Sequence, residues 1–204
     1  MLGLGSAAPD RVALTAGARV IRSGGLVAFP TETFYGLGAD ALDAAAVARL
    51  YRAKGRPADK AVLVLVDSIA MAADLVAAIP DRVRELMVRH WPGPLTIVLE
   101  ASPAVPAALT GGTGTLGVRL PGHAAARGLV AAAGRPVTAP SANPHGAAPP
   151  TTAAEVVRAL GAAVDLVLDG GPTAGGPAST IVDCTTWPPR IVRPGPVVLG
   201  ATGS

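Results

Sequence analysis

Aromatic side chains are almost absent from this chain of 204 residues, which has two Trp, two Tyr and two Phe. A core made without them must be built mainly from Ala, Val and Leu. There is also no basic stripe interleaved with aromatics of the kind that stacks nucleic-acid bases. The single cysteine, Cys184, excludes an intramolecular disulfide and a thiolate metal cluster. It sits in a strand pattern and reads as a small core residue. Charged residues make up 15% of the chain, below the roughly 25% usual for soluble domains. The net charge is only +3, although the isoelectric point is about 9.6. That balance admits a polyanionic partner without requiring one. No apolar run approaches the roughly 20 residues that cross a bilayer. The opening "MLGLGSAAPDR" lacks the basic and apolar regions of a secretory signal. The expected location is the cytoplasm, with no membrane partner.

Several chemical motifs are missing as well. There is no G-x-x-x-x-G-K-[ST] phosphate loop and no G-x-S-x-G elbow. "GLGAD" is half a dinucleotide fingerprint without its third glycine. His90, His123 and His145 are scattered without metal-ligand spacing and read as surface or loop residues.

The chain does contain interleaved helical and extended patterns. "DRVALTAGARVIRSGG" has helical spacing, with Asp10 as N-cap and a glycine pair as stop. "LVAFP" is a short strand. "DAAAVARLYRAKGRP" is a helix opened by Asp43 and closed before Pro57. "AVLVLV" reads as a strand buried on both faces, followed by helices over 69–78 and 81–90. "LTIVLE" and "GTLGVRLP" are strands, "HAAARGLVAAAG" is a helix, and "PVTAPSAN" runs from a strand into a loop. "TTAAEVVRALG" opens on a capping box, with Glu155 three residues after Thr152. "VDLVLDGG", "STIVDCT" and "RIVRPGPV" are closing strands. The expected fold is α/β, a twisted mixed sheet with flanking helices. With no repeat and no linker, one domain is expected.

Polar residues gather at the ends of the apolar strands, where α/β proteins commonly bind ligands. Thr31, Glu32 and Thr33 follow the first strand, and Arg119 ends "GVRLP". Lys54, Arg56 and Lys60 punctuate "KGRPADK", and Ser141 and Asn143 follow "PVTAP". Ser179 follows the glycine-rich "GGPTAGGPA", and Arg193 ends "RIVR". The basic members are suited to a polyphosphate, Arg as a planar fork and Lys as a mobile charge. Taken alone, "KGRPADK" reads equally well as a solvated turn, and "SAN" as an ordinary one. The two together are more persuasive than either.

In order along the chain, "FPTETFYGLG", "KGRPADK", "WPGPLTIVL", "GVRLPGH", "APSAN" and "DGG…STIVD…RIVRPG" resemble the YrdC-like family from about Asp10 to Val198. The resemblance implies a single YrdC-like domain over 1–204, with a core of about 10–198 and no second C-terminal domain. The implied activity joins L-threonine, bicarbonate or CO2, and ATP with Mg2+ into threonylcarbamoyl-AMP and pyrophosphate. The product would pass to proteins that transfer the threonylcarbamoyl group to a tRNA adenosine, with weak tRNA binding as a further expectation. Lys54, Arg56, Ser141 and Asn143 correspond to the set around the nucleotide and the reacting carbamate. Thr31, Arg119, Thr138 and Ser179 correspond to threonine-binding positions, with Arg119 on the carboxylate. Arg193, Lys60 and Thr113 correspond to nucleotide contacts, alongside Arg56 and Ser141. The magnesium is expected to bridge phosphates, with no direct protein ligands. In the turn after "AFP", Tyr35 with Phe34 is expected to support the pocket wall; Phe34 reads as core packing, and for Tyr35, which has a hydroxyl, the choice stays open. Gly36 and Gly38 are expected to let the backbone turn. The readings that compete with this one are an RNA-binding module and an enzyme using carbamoyl phosphate.

Overall fold

A computed structural model describes residues 1–4 and 10–199; the expected domain's positions 5–9 and 200–204 lie outside the described residues. The elements follow the order β1 (Leu2–Gly3), α1 (Arg11–Arg22), β2 (Val27–Pro30), β3 (Tyr35–Gly38), α2 (Ala44–Lys54), β4 (Val64–Leu65), α3 (Ile69–Leu75) and α4 (Asp81–His90). They continue with β5 (Leu95–Glu100), α5 (Ala107–Thr110), β6 (Thr115–Arg119), α6 (Ala124–Ala133), β7 (Val137–Thr138), α7 (Ala153–Leu160), β8 (Leu166–Asp169), β9 (Thr180–Asp183) and β10 (Arg190–Arg193). Among the described residues, no helix is long and apolar enough to cross a membrane.

The helix starts follow from their caps. The Asp10 carboxylate accepts from Val12 N, and Asp43 accepts from Ala45 N and Ala46 N. Thr152 and Glu155 form the reciprocal capping box of α7. Each cap satisfies backbone donors that a helix start leaves open. Helix α2 ends one residue past Lys54, at Gly55 in the left-handed conformation.

The strands form two mixed sheets rather than the single sheet expected. One has the order β1-β8-β2-β3, and the other β10-β9-β5-β6-β4-β7. They meet where β3 runs beside β7, but pairing there is reduced to isolated bridges, Gly36 with Ser141 and Asp40 with Val137. The interruption has a chemical cause. Pro136 and Pro140 flank β7 and have no N–H to donate. Ala39 N bonds the Thr138 hydroxyl at 2.8 Å, and that hydroxyl donates to Leu37 O at 3.1 Å. A side chain thus does part of the work of a backbone ladder.

The run "AVLVLV" forms a strand only at Val64–Leu65, between β6 and β7. Helix α3 stops at Leu75 because Val76 is extended and bridges Ala101. The largest difference lies in "YGLG", which is not a turn. It is β3, antiparallel to β2, with Phe29 opposite Gly36. A Cβ on Gly38 would lie 2.8 Å from Val137 Cγ1 and 2.9 Å from Phe29 Cε1, and one on Gly36 would lie 3.3 Å from the Phe29 ring. These glycines make room for Phe29 instead of reversing the chain. The aromatic pair departs from expectation at Phe34. Tyr35 is fully buried and Phe34 only partly so. Burial raises the Tyr35 phenol to about 12, and its hydroxyl donates to Gly171 O at 2.7 Å. Cys184 is a buried core residue, as its pattern suggests.

Candidate active site

The ends of β2, β6 and β10, the start of β3, strand β4 and the loops after α2, after β7 and before β9 enclose a cavity of about 300 Å³. That is the lower end of the range for small-molecule sites, about 300–1,000 Å³. Of the expected residues, Thr31, Arg56, Arg119, Ser141, Ser179 and Arg193 line it.

Thr31 is buried at the end of β2. Its hydroxyl donates to Phe34 O at 2.6 Å and accepts from Phe34 N at 3.3 Å, closing the turn into β3. Gly175 N donates to Thr33 O at 2.8 Å, so the glycine-rich segment lies against the same turn. Arg119 is buried at the end of β6, and its Nε donates to Gly93 O at 3.0 Å. Its Nη2 forms an ion pair with Glu32 Oε1. That carboxylate oxygen also accepts from Gly122 N at 3.0 Å. Burial opposes ionisation of Glu32, but Arg119 and the backbone N–H groups of Glu32 and Gly122 outweigh it, so its carboxyl sits below the usual glutamate value.

Arg193 closes the far side. Its Nε and Nη2 donate to Ser179 O at 3.0 and 2.8 Å, and Nη2 also reaches Ser179 Oγ at 3.0 Å. The Ser179 hydroxyl lies 3.0 Å from that of Thr96 in the adjacent strand β5. Burial and the nearby Arg119 charge both lower the Arg193 pKa. Arg56 lies in the loop after α2, with Nε on Lys60 O at 3.1 Å and Nη2 on Ala61 O at 2.8 Å. Among the described residues, three arginines therefore line the cavity and no carboxylate does.

Lys54 and Asn143 are buried but do not line the cavity. The Lys54 ammonium donates to Ser141 O and Asn143 O, and His145 N donates to Lys54 O at 2.7 Å. The Asn143 amide donates to Pro144 O and Ala147 O, both at 2.8 Å. Together they tie the loop after β7 to the last turn of α2. Burial first and Arg56 second lower the Lys54 pKa to about 8. Thr138, expected at the threonine pocket, lies in the seam between the sheets with both functions of its hydroxyl engaged by β3. Lys60 is exposed, and its carbonyl accepts from Tyr51 at 2.6 Å. Thr113 donates to Thr110 O at 2.7 Å in the turn before β6; neither Lys60 nor Thr113 lines the cavity.

The sequence reading did not assign Glu32, Gly93 or His123 to the site. Glu32 stood between two more suggestive threonines, and Gly93 contributes only a carbonyl. His123 is the N-cap of α6, with Nδ1 buried and unpartnered, and it feels the Glu32 charge. Its place beside "RLPG" was the one available signal.

The family model named for Sua5, YciO and YrdC, described as "Telomere recombination", matches residues 19–195. The chain belongs to the Sua5/YciO/YrdC family. It is 47% identical to the threonylcarbamoyl-AMP synthase of Pyrococcus abyssi over 86% of its own length and 52% of the relative's. It is 41% identical to the enzyme of the same name from Bacillus subtilis, over 87% of this chain and 52% of that one. The chain thus spans about half the length of these curated relatives. A crystal structure of P. abyssi Sua5 complexed with L-threonine superposes with a TM-score of 0.92 at 43% identity, covering 95% of this chain and 57% of that one. The Sua5/YciO/YrdC fold therefore accounts for both sheets and the flanking helices.

Proposed function

We propose that this chain makes threonylcarbamoyl-AMP and pyrophosphate from L-threonine, bicarbonate or CO2, and ATP taken as its magnesium complex. The observation that carries the reading is a cavity lined by Arg56, Arg119 and Arg193 without a carboxylate, in a fold shared with a threonine-bound relative. Such a cavity suits two anions of different size, an amino-acid carboxylate and a polyphosphate.

The chemistry asks for positioning and charge stabilisation instead of a protein nucleophile. The threonine amine adds to CO2 and releases a proton, giving a carbamate. A carbamate oxygen then attacks the α-phosphorus, and the bond to the β-phosphate oxygen breaks as pyrophosphate leaves. Arg119 receives the threonine carboxylate, while Thr31 and Ser179 shape that end. Arg56 and Arg193 neutralise the phosphates, with Lys60 adding charge further out. Lys54 and Asn143 hold the Ser141 loop against them. The product passes to the proteins that modify a tRNA adenosine, the reaction runs in the cytoplasm, and tRNA itself binds weakly.

Mass spectrometry of an incubation with MgATP, L-threonine and bicarbonate tests this directly. Threonylcarbamoyl-AMP should appear and should require both threonine and bicarbonate. ATP binding without product would defeat the reading. Product formed only from carbamoyl phosphate would replace it with the carbamoyl-phosphate chemistry.

A further inference from the structure

Arg119 has five N–H groups, four of them arranged as two edges, a side edge of Nε with one Nη2 hydrogen and an end edge of one Nη1 hydrogen with the other Nη2 hydrogen. Gly93 O accepts the Nε hydrogen, and the Glu32 carboxylate pairs with Nη2 as an ion pair. Gly93 O is fixed by its own turn, in which Gly93 N donates to Leu120 O at 2.9 Å. Glu32 is fixed by Gly122 N. Among the described residues no hydrogen bond uses Nη1, which is left to the cavity that Arg119 lines, and a guanidinium end edge of Nη1 with Nη2 matches a carboxylate.

Glu32 does not line the cavity itself. It stands behind Arg119, with its side chain 24% exposed against 6% for the arginine. Its second oxygen, Oε2, is buried without a partner, so Arg119 and Gly122 N set its orientation. His123 nearby is held toward its neutral form by burial, which together with Arg127 outweighs the opposing pull of the Glu32 charge. Arg193, a half-buried guanidinium in the cavity wall, is held by the neutral oxygens of Ser179 instead. Its charge acts on Arg119 across the cavity. Without a carboxylate behind it, Arg119 would face a like charge with only one carbonyl to hold it.

We propose that Glu32 is a positioning residue for substrate recognition, holding Arg119 so that its end edge receives the carboxylate of the amino-acid substrate. The inference rests on the reading of Arg119 given above. Glu32 acts on the amino acid and not on the nucleotide, and it does so entirely through Arg119.

Calorimetry with L-threonine and, separately, with MgATP tests this on the full chain and on Glu32→Ala, Glu32→Gln, Arg119→Ala and the Glu32→Ala/Arg119→Ala pair. Glu32→Ala should weaken threonine binding about tenfold, the scale of a hydrogen bond to a charged group, with MgATP affinity unchanged. Glu32→Gln keeps an acceptor for Arg119 and Gly122 N and should stay within about threefold of the wild type. The double variant should bind threonine no worse than Arg119→Ala alone, since Glu32 has nothing left to position. A merely structural Glu32 would weaken both ligands, or would add its effect to that of Arg119→Ala; either result overturns the proposal. Threonine affinity in Glu32→Ala equal to or tighter than wild type also overturns it. If Glu32→Ala does not fold, Glu32→Met, which keeps the bulk but removes the acceptor, and its pair with Arg119→Ala carry the same test. If threonine binds as described but no threonylcarbamoyl-AMP forms, the proposed reaction fails while the role of Glu32 stands. If the wild type binds no threonine, both fall.

Discussion

Replacing Lys54 with Met tests how the loop that carries Ser141 is held. Burial, helped by Arg56, lowers the ammonium from 10.5 to about 8, a penalty of about 3 kcal/mol at 1.36 kcal/mol per pH unit. Against this stand two charge-assisted hydrogen bonds to Ser141 O and Asn143 O, each worth about 1.5–3 kcal/mol. The opposing contributions are similar in size, so Lys54→Met should cost no more than about 2 kcal/mol of global stability near neutral pH. Turnover should nevertheless fall by about a hundredfold or more, because the loop behind Ser141 loses its tie. The distinctive consequence is in the pH dependence. Between about 8 and 10.5 the unfolded chain holds a proton on Lys54 that the folded chain has released. Stability in that window therefore rises with pH; the contribution is complete above 10.5 and is lost as pH falls through 8. From pH 7.5 to 9.5 the wild type should gain about 2 kcal/mol relative to Lys54→Met in urea unfolding. Parallel stability curves for the two proteins would refute the reasoning, because they would mean that the two carbonyls keep the buried amine charged.

Gly38→Ala should cost about 1–3 kcal/mol, since its Cβ would press on Val137 and Phe29 at 2.8 and 2.9 Å; a shift in urea midpoint at constant slope measures this, and a loss below about 0.5 kcal/mol would contradict the packing account. Thr138→Val keeps the shape but strands Ala39 N in the seam, so it should lose about 1–3 kcal/mol of stability while leaving L-threonine affinity unchanged. A loss of threonine affinity at unchanged stability would return Thr138 to the pocket. Arg193→Lys replaces a fork on Ser179 with a single ammonium; MgATP affinity should drop about tenfold or more, and equal affinity would show that charge alone suffices.

Local signals were legible wherever a single residue decides a local structure. Asp10, Asp43 and the Thr152–Glu155 pair mark helix starts through bonds within a few residues, so their spacing is enough. Of the six expected residues that line the cavity, five sit at or near strand ends, where a period-2 pattern breaks off visibly, and Arg56 follows the end of α2. What could not be read locally depends on partners far along the chain. Strand β3 looks like a turn because its glycines answer the ring of Phe29, which only the hairpin brings above them. Thr138 looks like a pocket residue until β3 is laid beside β7. Glu32 gains its significance from Arg119, a residue in another sheet.

The seam between the sheets also bears on how the site is assembled. Leu37 N bonds Pro140 O and Ala142 N bonds Tyr35 O, so segments about a hundred residues apart in the chain must meet before the cavity has walls. Contacts that distant are costly to close and come late in folding. Because neither sheet encloses the cavity alone, a fragment or a half-formed intermediate has no site to offer a ligand. An occupied cavity should therefore slow amide exchange in both sheets together, making ligand protection a gauge of the whole fold and not of one loop.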